Sequence, residues 1–333
     1  MVTQKDIANR LGVSPSLVSR VLNGSASEIG VTPETIERIC AEATRLNYQP
    51  NVVALMLRGA PTQVLGVVVK NFDDPFFGRI LAELESLASR QGYSLLLTGY
   101  ASNANIHSLA RYKLDGLILA GTDFVPDGLT RFISNGTRVV RIGCGGQVTG
   151  VTRVVADIEH GLEELVGYLA KLGHRDIAYL GDDTELSGRR EGEFLRALKC
   201  ADLSARPECI IRTRYTGVDT GCEAMQLLLR QCQARRPTAV IAAEDVLAQS
   251  ALRALFEAKI QVPNDLSLAS VDDIPSTHMT IPSLTTVRQP IPEMARRAFE
   301  TLIGTGDTPD EIMVRPELII RESCAPPPSP SGS

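Results

Sequence analysis

Much of what would mark an enzyme or a secreted scaffold is missing from this chain of 333 residues. Its seven cysteines (Cys40, Cys144, Cys200, Cys209, Cys222, Cys232 and Cys324) are scattered, odd in number and never in a Cys-x-x-Cys spacing. That pattern excludes a disulfide framework and a cysteine-built zinc site. The four histidines, His107, His160, His174 and His278, stand apart from one another, so no paired metal ligands are formed. His174, in Leu-Gly-His, reads as a capping and packing residue. There is no nucleophile elbow and no glycine-rich phosphate loop after a strand. Asp74, Glu244 and Asp273 could pose as acid and base. With neither nucleophile nor metal beside them, the chain reads as a non-enzyme without a cofactor. No run approaches the ~18 apolar residues of a membrane span. The N-terminus lacks a signal-peptide pattern, so no membrane partner and cytoplasmic residence are expected.

What is present describes an ordinary globular protein, with 44% hydrophobic and 22% charged residues. The length suits a small domain plus one large or two medium ones. The net charge of -5 is uneven: residues 1–60 carry six cations against five carboxylates, +1, which leaves -6 for the remainder. So weak a field gives poor non-specific affinity for DNA. A DNA-binding reading must then lean on base contacts, helix N-termini and two copies of the domain.

The first residues support that reading. Thr3 can cap a helix through Gln4–Leu11, Gly12 permits a turn, and Ser14 caps a second helix that opens on Pro15 and closes at Asn23-Gly24. Ile7, Ala8, Leu11, Val13, Val18, Val21 and Leu22 can form one small core, leaving Pro15, Ser16, Ser19 and Arg20 on an outer face. Any three-helix cap could show the same apolar spacing. A third helix, capped by Thr32 and opened by Pro33, turns Ile36, Ile39, Cys40 and Ala43 inward and ends near Asn47. Then comes Tyr48–Gly59, one or two turns of apolar helix in which Val53, Ala54, Leu55, Met56 and Leu57 need burial. So short a helix does not survive alone in water. It needs either a symmetric partner helix or permanent packing on the next domain.

From Val64 onward short β-rich runs alternate with helices. The runs are Val64–Lys70, Ser94–Thr98, Gly116–Ala120, Val139–Ile142 and Arg153–Asp157, then Ile177–Gly181, Glu208–Ile211, Ala239–Ala242 and Leu268–Val271. The helices read between them are Ile80–Arg90, the first half of Glu159–Leu172, Arg189–Leu198, Thr220–Arg230 and Val246–Glu257. This is the grammar of a parallel sheet, written twice. Two such lobes form a clamshell with a ligand between them, at the C-terminal ends of the strands.

Several stretches, in order and spacing, carry a resemblance. They are Lys5-Asp6-Ile7-Ala8, Gly12-Val13-Ser14, Val18–Gly24, Tyr48-Gln49-Pro50-Asn51, Asp74-Pro75-Phe76-Phe77, Leu114-Asp115-Gly116, Leu172-Gly173-His174-Arg175, Asp272-Asp273-Ile274-Pro275, Leu284–Pro290 and Arg321-Glu322-Ser323. From residue 3 to about 325 the chain resembles the LacI/GalR (lactose-repressor/galactose-repressor) family of bacterial transcriptional regulators. The resemblance implies an all-α helix-turn-helix headpiece with a hinge helix, then a two-lobed α/β domain of periplasmic-binding-protein type with parallel sheets. The boundaries implied are 1–49 for the headpiece, 50–60 for hinge and linker, and 61–324 for the bilobed domain. Within that domain the N-lobe covers 61–158 plus 289–324 and the C-lobe 159–288, and a disordered tail follows at 325–333.

It further implies a homodimer that binds double-stranded operator DNA under the control of a small-molecule effector, a sugar, polyol or related metabolite. By position, Pro15 and Ser16 read bases, Arg20 supplies a bidentate contact to guanine, and Ser19 and Asn23 anchor the backbone. A solvated surface arginine is the other reading of Arg20. Leu17 stands where many relatives have threonine, removing a phosphate hydrogen bond. Leu57 would wedge between central base pairs, with Ala54 beside it against the partner. The effector residues implied are Phe72, Asp74, Phe76, Arg190, Glu244 and Asp273. Phe76 is read either as a stacking platform or as core. Arg189 is the fallback for Arg190, because Glu193 replaces the usual glycine of that motif. Glu244 stands where an asparagine is usual; an ionised glutamate only accepts hydrogen bonds. The alternative from another class is a solute-binding protein of the same bilobed fold without a transcriptional role.

Overall fold

A computed structural model describes residues 2–22, 30–48, 61–100, 104–121, 126–215, 217 and 219–328. The proposed hinge helix with Ala54 and Leu57, and also Asn23, lie outside the described residues. The chain divides into two compact units, Met1–Thr62 and Gln63–Ser333.

In the first unit three helices, α1 (Gln4–Leu11), α2 (Pro15–Leu22) and α3 (Pro33–Arg45), close on one apolar cluster. Thr3 and Asp6 form a reciprocal capping box at the start of α1, and Gly12 ends it with φ 66°. Ser14 Oγ accepts from Leu17 N at 3.2 Å and so caps α2. Ile7, Ala8, Val18, Val21, Ile39 and Ala43 are the buried centre. Cys40, expected inward, is exposed on α3 instead. Ile36, Ile39 and Ala43 already complete that helix's inner stripe, and position 40 falls just beyond it.

The second unit holds two six-stranded sheets with the same winding. The first runs β2 (Ser94–Gly99), β1 (Val64–Val69), β3 (Gly116–Ala120), β4 (Arg138–Ile142), β5 (Val151–Ala156), β11 (Glu311–Val314). The second runs β7 (Ile210–Thr213), β6 (Ile177–Asp182), β8 (Ala239–Ala242), β9 (Ser267–Asp272), β10 (Thr285–Arg288), β12 (Glu317–Ile319). All pairings are parallel except β10 with β12. Strands such as β1 and β3 are covered on both faces, which is why they read as unbroken Val/Leu/Ile runs rather than alternating ones. The flanking helices are α4 (Pro75–Arg90), α5 (Ala104–Leu109), α6 (Leu129–Ser134), α7 (Ile158–Leu172), α8 (Glu185–Cys200), α9 (Thr220–Gln231), α10 (Asp245–Glu257) and α11 (Ile291–Ile303).

The main chain crosses between the sheets three times: after β5, after β10, and between β11 and β12. The last crossing corrects the expected lobe boundary. Residues 317–324 belong with the second sheet, because β12 pairs with β10 through Arg288↔Glu317 to Thr286↔Ile319. The expected disordered tail is also ordered at its start. Ala325 N donates to Ser267 Oγ at 3.1 Å, and its carbonyl accepts from Ser267 Oγ at 3.1 Å and bonds the His174 ring at 2.9 Å. His174 is buried, with its other nitrogen bonded to Thr238 Oγ1 at 2.9 Å, so it is a structural staple.

Other expectations shift by a few residues. The first of the second-lobe edge strands begins at Ile210, since Pro207–Cys209 forms a single 3-10 turn. Helix α7 runs its whole expected length rather than half. Helices α9 and α10 pack very closely where α9 begins. A Cβ on Gly221 would lie 1.9 Å from the Leu247 carbonyl oxygen and 2.5 Å from Ser250 Oγ. Gly221→Ala therefore forces a backbone shift. It should lower the unfolding free energy by about 1–3 kcal/mol, read as a reduced denaturation midpoint in urea at unchanged slope.

Candidate ligand cleft and nucleic-acid face

The second unit winds in the order 2-1-3-4-5 in each sheet, so each has a switch point beside its central strand, where α/β folds bind ligands. A cavity of about 390 Å³ lies there. Its wall is assembled from strand ends. From the first lobe come Lys70 after β1, Tyr100 after β2, Gly121 after β3, Gly143 and Cys144 after β4 and Ala156 of β5. The second lobe adds Asp182 of β6, Tyr215 beyond β7, Glu244 beyond β8 and Asp272 of β9. Helix N-termini meet the same space. Asp74 caps α4 by accepting from Phe76 N at 2.9 Å, and Thr184 caps α8. Glu244 occupies the N-cap position of α10 without a side-chain bond.

Four of the expected effector residues, Asp74, Phe76, Arg190 and Glu244, are brought together at this wall. The other two are not. Phe72 is 54% exposed. The turn in which Asn71 Oδ1 accepts from Asp73 N at 2.9 Å lays its ring over Gly99 instead. Asp273 is consumed by a clamp: Arg288 Nε reaches its Oδ2 at 2.6 Å, and Arg321 Nη2 and Thr277 Oγ1 reach Oδ1 at 2.6 and 3.1 Å. Burial alone would raise the Asp273 pKa, but hydrogen bonds and charge from Arg288 and Arg321 hold it below the ordinary value. Its carbonyl accepts from Arg79 Nη1 of α4 at 2.6 Å, which ties the first lobe to the second.

The carboxylate that faces the cavity is the preceding one. Asp272 sits at φ 121°, a region that side-chain-bearing residues rarely adopt. It is held there by Arg190 Nη2 at 2.7 Å and Gln289 Nε2 at 2.6 Å, both on Oδ1. Arg190 is only 4% exposed, and its Nη1 donates to the Ala243 carbonyl at 2.5 Å. Burial disfavours its charge, yet Asp272 and Glu244 outweigh that and raise its pKa above the usual arginine value. Arg189 is not the cleft arginine: it turns to Glu193 at 3.1 Å on the other side of α8. Sequence reasoning missed Asp272, Gln289, Tyr100 and Tyr215. Asp272, Tyr100 and Tyr215 lie beyond the C-terminal ends of β-runs, the signal that could have flagged them, whereas Gln289 follows β10, which has no such run.

Behind the wall, Asp245 is fully buried and accepts from Ser270 Oγ at 2.5 Å, Thr286 Oγ1 at 2.7 Å and Ile274 N at 2.7 Å. Burial and the charge of Asp272 push it up to about 7 against those bonds. Glu244 goes further. Burial pushes it up to about 8, Arg190 opposes this, and Asp272, Asp74 and Asp182 add to it. Burial likewise raises Asp74. The wall is thus rich in acceptors, with aromatic faces from Phe76, Phe77, Tyr100 and Tyr215.

In the first unit, Pro15, Ser16 and Arg20 are exposed on α2, while Ser19 is half-buried. Ser16 Oγ lies 3.0 Å from Ser14 Oγ. Leu17 leans on the headpiece core, so its side chain replaces a surface hydroxyl with packing. No helix among the described residues is long and apolar enough to cross a membrane, and no cluster of three or more His, Cys, Asp or Glu among them could hold a metal ion.

Comparison with known proteins adds two family matches. Residues 3–51 match the bacterial regulatory proteins of the lacI family, and residues 166–324 match a periplasmic binding protein-like domain. The transcriptional repressor PurR of Erwinia tasmaniensis is 32% identical over 98% of this chain and 97% of its own. That of Proteus mirabilis is 30% identical, again over 98% and 97%. Among solved structures, a transcriptional regulator CelR in complex with cellobiose superposes with a TM-score of 0.70 at 26% identity, covering 97% of this chain and all of that one. The lac repressor dimer bound to operator and an anti-inducer shares the fold at a TM-score of 0.82 and 23% identity, over 97% and 99%.

The raised pKa of Glu244 has a measurable consequence. Below its ordinary value of 4.5 the group is neutral in both folded and unfolded chains. Between that value and about 8 only the unfolded chain ionises, so stability drains away as pH rises. Glu244→Gln should therefore match the wild type in melting temperature near pH 4.5 and exceed it increasingly up to pH 8, then level off. A flat difference across that range would show Glu244 ionised in the fold throughout.

Proposed function

The chain belongs to the LacI family of bacterial regulatory proteins, and from that premise we propose that it is a sequence-specific DNA-binding transcriptional repressor whose operator affinity is set by a small molecule held between its two lobes. The observation that carries this reading is the joining, in one chain, of two parts. One is a capped three-helix headpiece with Pro15, Ser16 and Arg20 on an exposed helix face. The other is a bilobed domain with an acceptor-rich, aromatic cavity at its strand ends. The effector belongs to the sugar or polyol class. Carboxylates and amide oxygens accept from hydroxyls, and the faces of Phe76 and Tyr215 suit the apolar side of a sugar ring. The relative solved with cellobiose supports the same class.

Within this proposal the protein acts as a homodimer. Arg20 is the specificity contact, Pro15 offers only apolar contact to a thymine methyl, and Ser16 and Ser19 bind weakly or to the backbone. Asn23, Ala54 and Leu57 take the anchoring and minor-groove roles given above. The effector contacts are Asp74, Phe76, Arg190 and Glu244, joined by Asp272 in place of Asp273. Effector binding shifts the population of lobe arrangements and so the spacing of the paired headpieces. A solute-binding protein of the same fold would have no use for the headpiece.

The test is retention of duplexes from the chain's own promoter region by the full-length protein, with and without sugars, polyols and purines. Specific retention altered by a small molecule is expected; indifference to sequence would overturn the reading. Arg20→Ala should reduce the specific-to-non-specific ratio by about 1–3 kcal/mol, measured by competition with random DNA. Equal losses on operator and random duplex would reduce Arg20 to a phosphate contact.

A further inference from the structure

The charges around the cavity do not balance, and the imbalance has a direction. Among its described lining residues are the carboxylates Asp74, Asp182, Glu244 and Asp272, against the cations Lys70 and Arg190. Arg190 is already committed, one amino group on the Ala243 carbonyl and the other on Asp272. Asp182 Oδ1 takes two bonds from Thr184, from its N at 2.9 Å and its Oγ1 at 2.6 Å. Two of the helix N-termini that would greet an anion are filled, α4 by Asp74 and α8 by Thr184, and a third carboxylate, Glu244, stands at the start of α10 without a cap bond. An anionic ligand would find the partial charges of the first two termini already spent on protein groups and a carboxylate standing at the third.

Asp74 and Glu244 are the two carboxylates left over. Asp74 uses one oxygen on Phe76 N. Among the described residues no donor bonds the Glu244 side chain. They come from opposite lobes, Asp74 from the first and Glu244 from the second, they line the same cavity, and the charge of Asp74 acts on Glu244. The groups facing Glu244 are Arg190, Asp272, Asp74, Asp182, Tyr179 and Tyr215, with Lys70 beside Asp74. With both groups ionised the pair repels, and the charge of Asp74 adds to the burial that raises the Glu244 pKa. A ligand cation between them would relieve the repulsion and pull the two lobes onto itself. Phe76, Tyr100 and Tyr215 offer ring faces that suit both a pyranose and an ammonium group.

We propose that the effector of this cleft carries a protonated amine: an aminated monosaccharide or polyol, its ammonium group seated between Asp74 and Glu244 and its hydroxyls on the remaining acceptors. This deepens the effector reading above and rests on it. The cavity of about 390 Å³ is large enough for such a ring. Lobe closure then depends on ligand charge as well as ligand shape.

The experiment is calorimetry on the full-length protein at pH 7 with glucosamine and galactosamine, each beside its neutral parent (glucose, galactose) and its N-acetyl derivative. One amino sugar is expected to bind at least about ten-fold more tightly than its neutral and acetylated counterparts. Glu244→Gln and Asp74→Asn, each checked for an intact melting transition, should bring that preference within about three-fold. The proposal is overturned if a neutral parent matches the amine, if the preference survives both variants, or if none of the probes binds. Promoter-duplex retention by the wild-type protein without any sugar is read in parallel. Retention together with indifference to amines refutes the amine alone, whereas no specific retention refutes the regulator reading whatever calorimetry shows.

Discussion

A single buried guanidinium organises the cleft. Arg190, reaching from α8, binds the last carbonyl region of β8 through Ala243 and the last side chain of β9 through Asp272. Gln289, where the chain leaves β10 for the other lobe, binds the same carboxylate oxygen. Three neighbouring strand ends are therefore set by one charge pair. Pairs of this kind contribute little net stability against an apolar substitute, but removing one partner strands the other charge and costs about 3–5 kcal/mol. The strained backbone of Asp272 survives because two donors determine where its carboxylate must be. The cavity wall inherits its shape from that constraint.

Around this pair lie two further acid-centred clusters with different jobs. Asp245 gathers two hydroxyls and a backbone amide, stitching β9, β10 and the following turn from within. Asp273 gathers two arginines and a threonine on its side chain, and Arg79 of the other lobe on its carbonyl. The separate tasks of these acids (cavity wall at 272, clamp at 273, buried stitch at 245) explain why the region is dense in carboxylates. Of the acids at the cavity and behind it, Glu244 alone among the described residues has no protein donor on its side chain, and Asp74 has one, from Phe76 N.

Most of the architecture was legible in the residues. Nine β-rich runs between Val64 and Val271 correspond to strands, because buried parallel strands must be apolar on both faces and so stand out. The strands β10, β11 and β12 were not read. They are three or four residues long and carry Thr, Arg and Glu, so pairing rather than composition makes them strands. In the cleft, Asp74, Phe76, Arg190 and Glu244 could be placed by motif. The choice between Asp272 and Asp273 could not. Both leave the extended region, with φ 121° and 57°, so the alternation that tells inward from outward along a strand fails at that point. Glu193 cast doubt on Arg190 from sequence, whereas in the fold it simply engages Arg189 on the far side of the helix.

The three inter-lobe crossings have one more implication. In the first sheet Ala156 lies opposite Val314, and in the second Arg288 lies opposite Glu317, so the three spans run shoulder to shoulder. Parallel straps mounted edge to edge behave as a flat ribbon, compliant to folding across its width and stiff to shear or torsion. Opening and shutting of the clamshell is thereby channelled into a single swing. A ligand held between the two sheets would act on these spans through one mechanical variable, an angle.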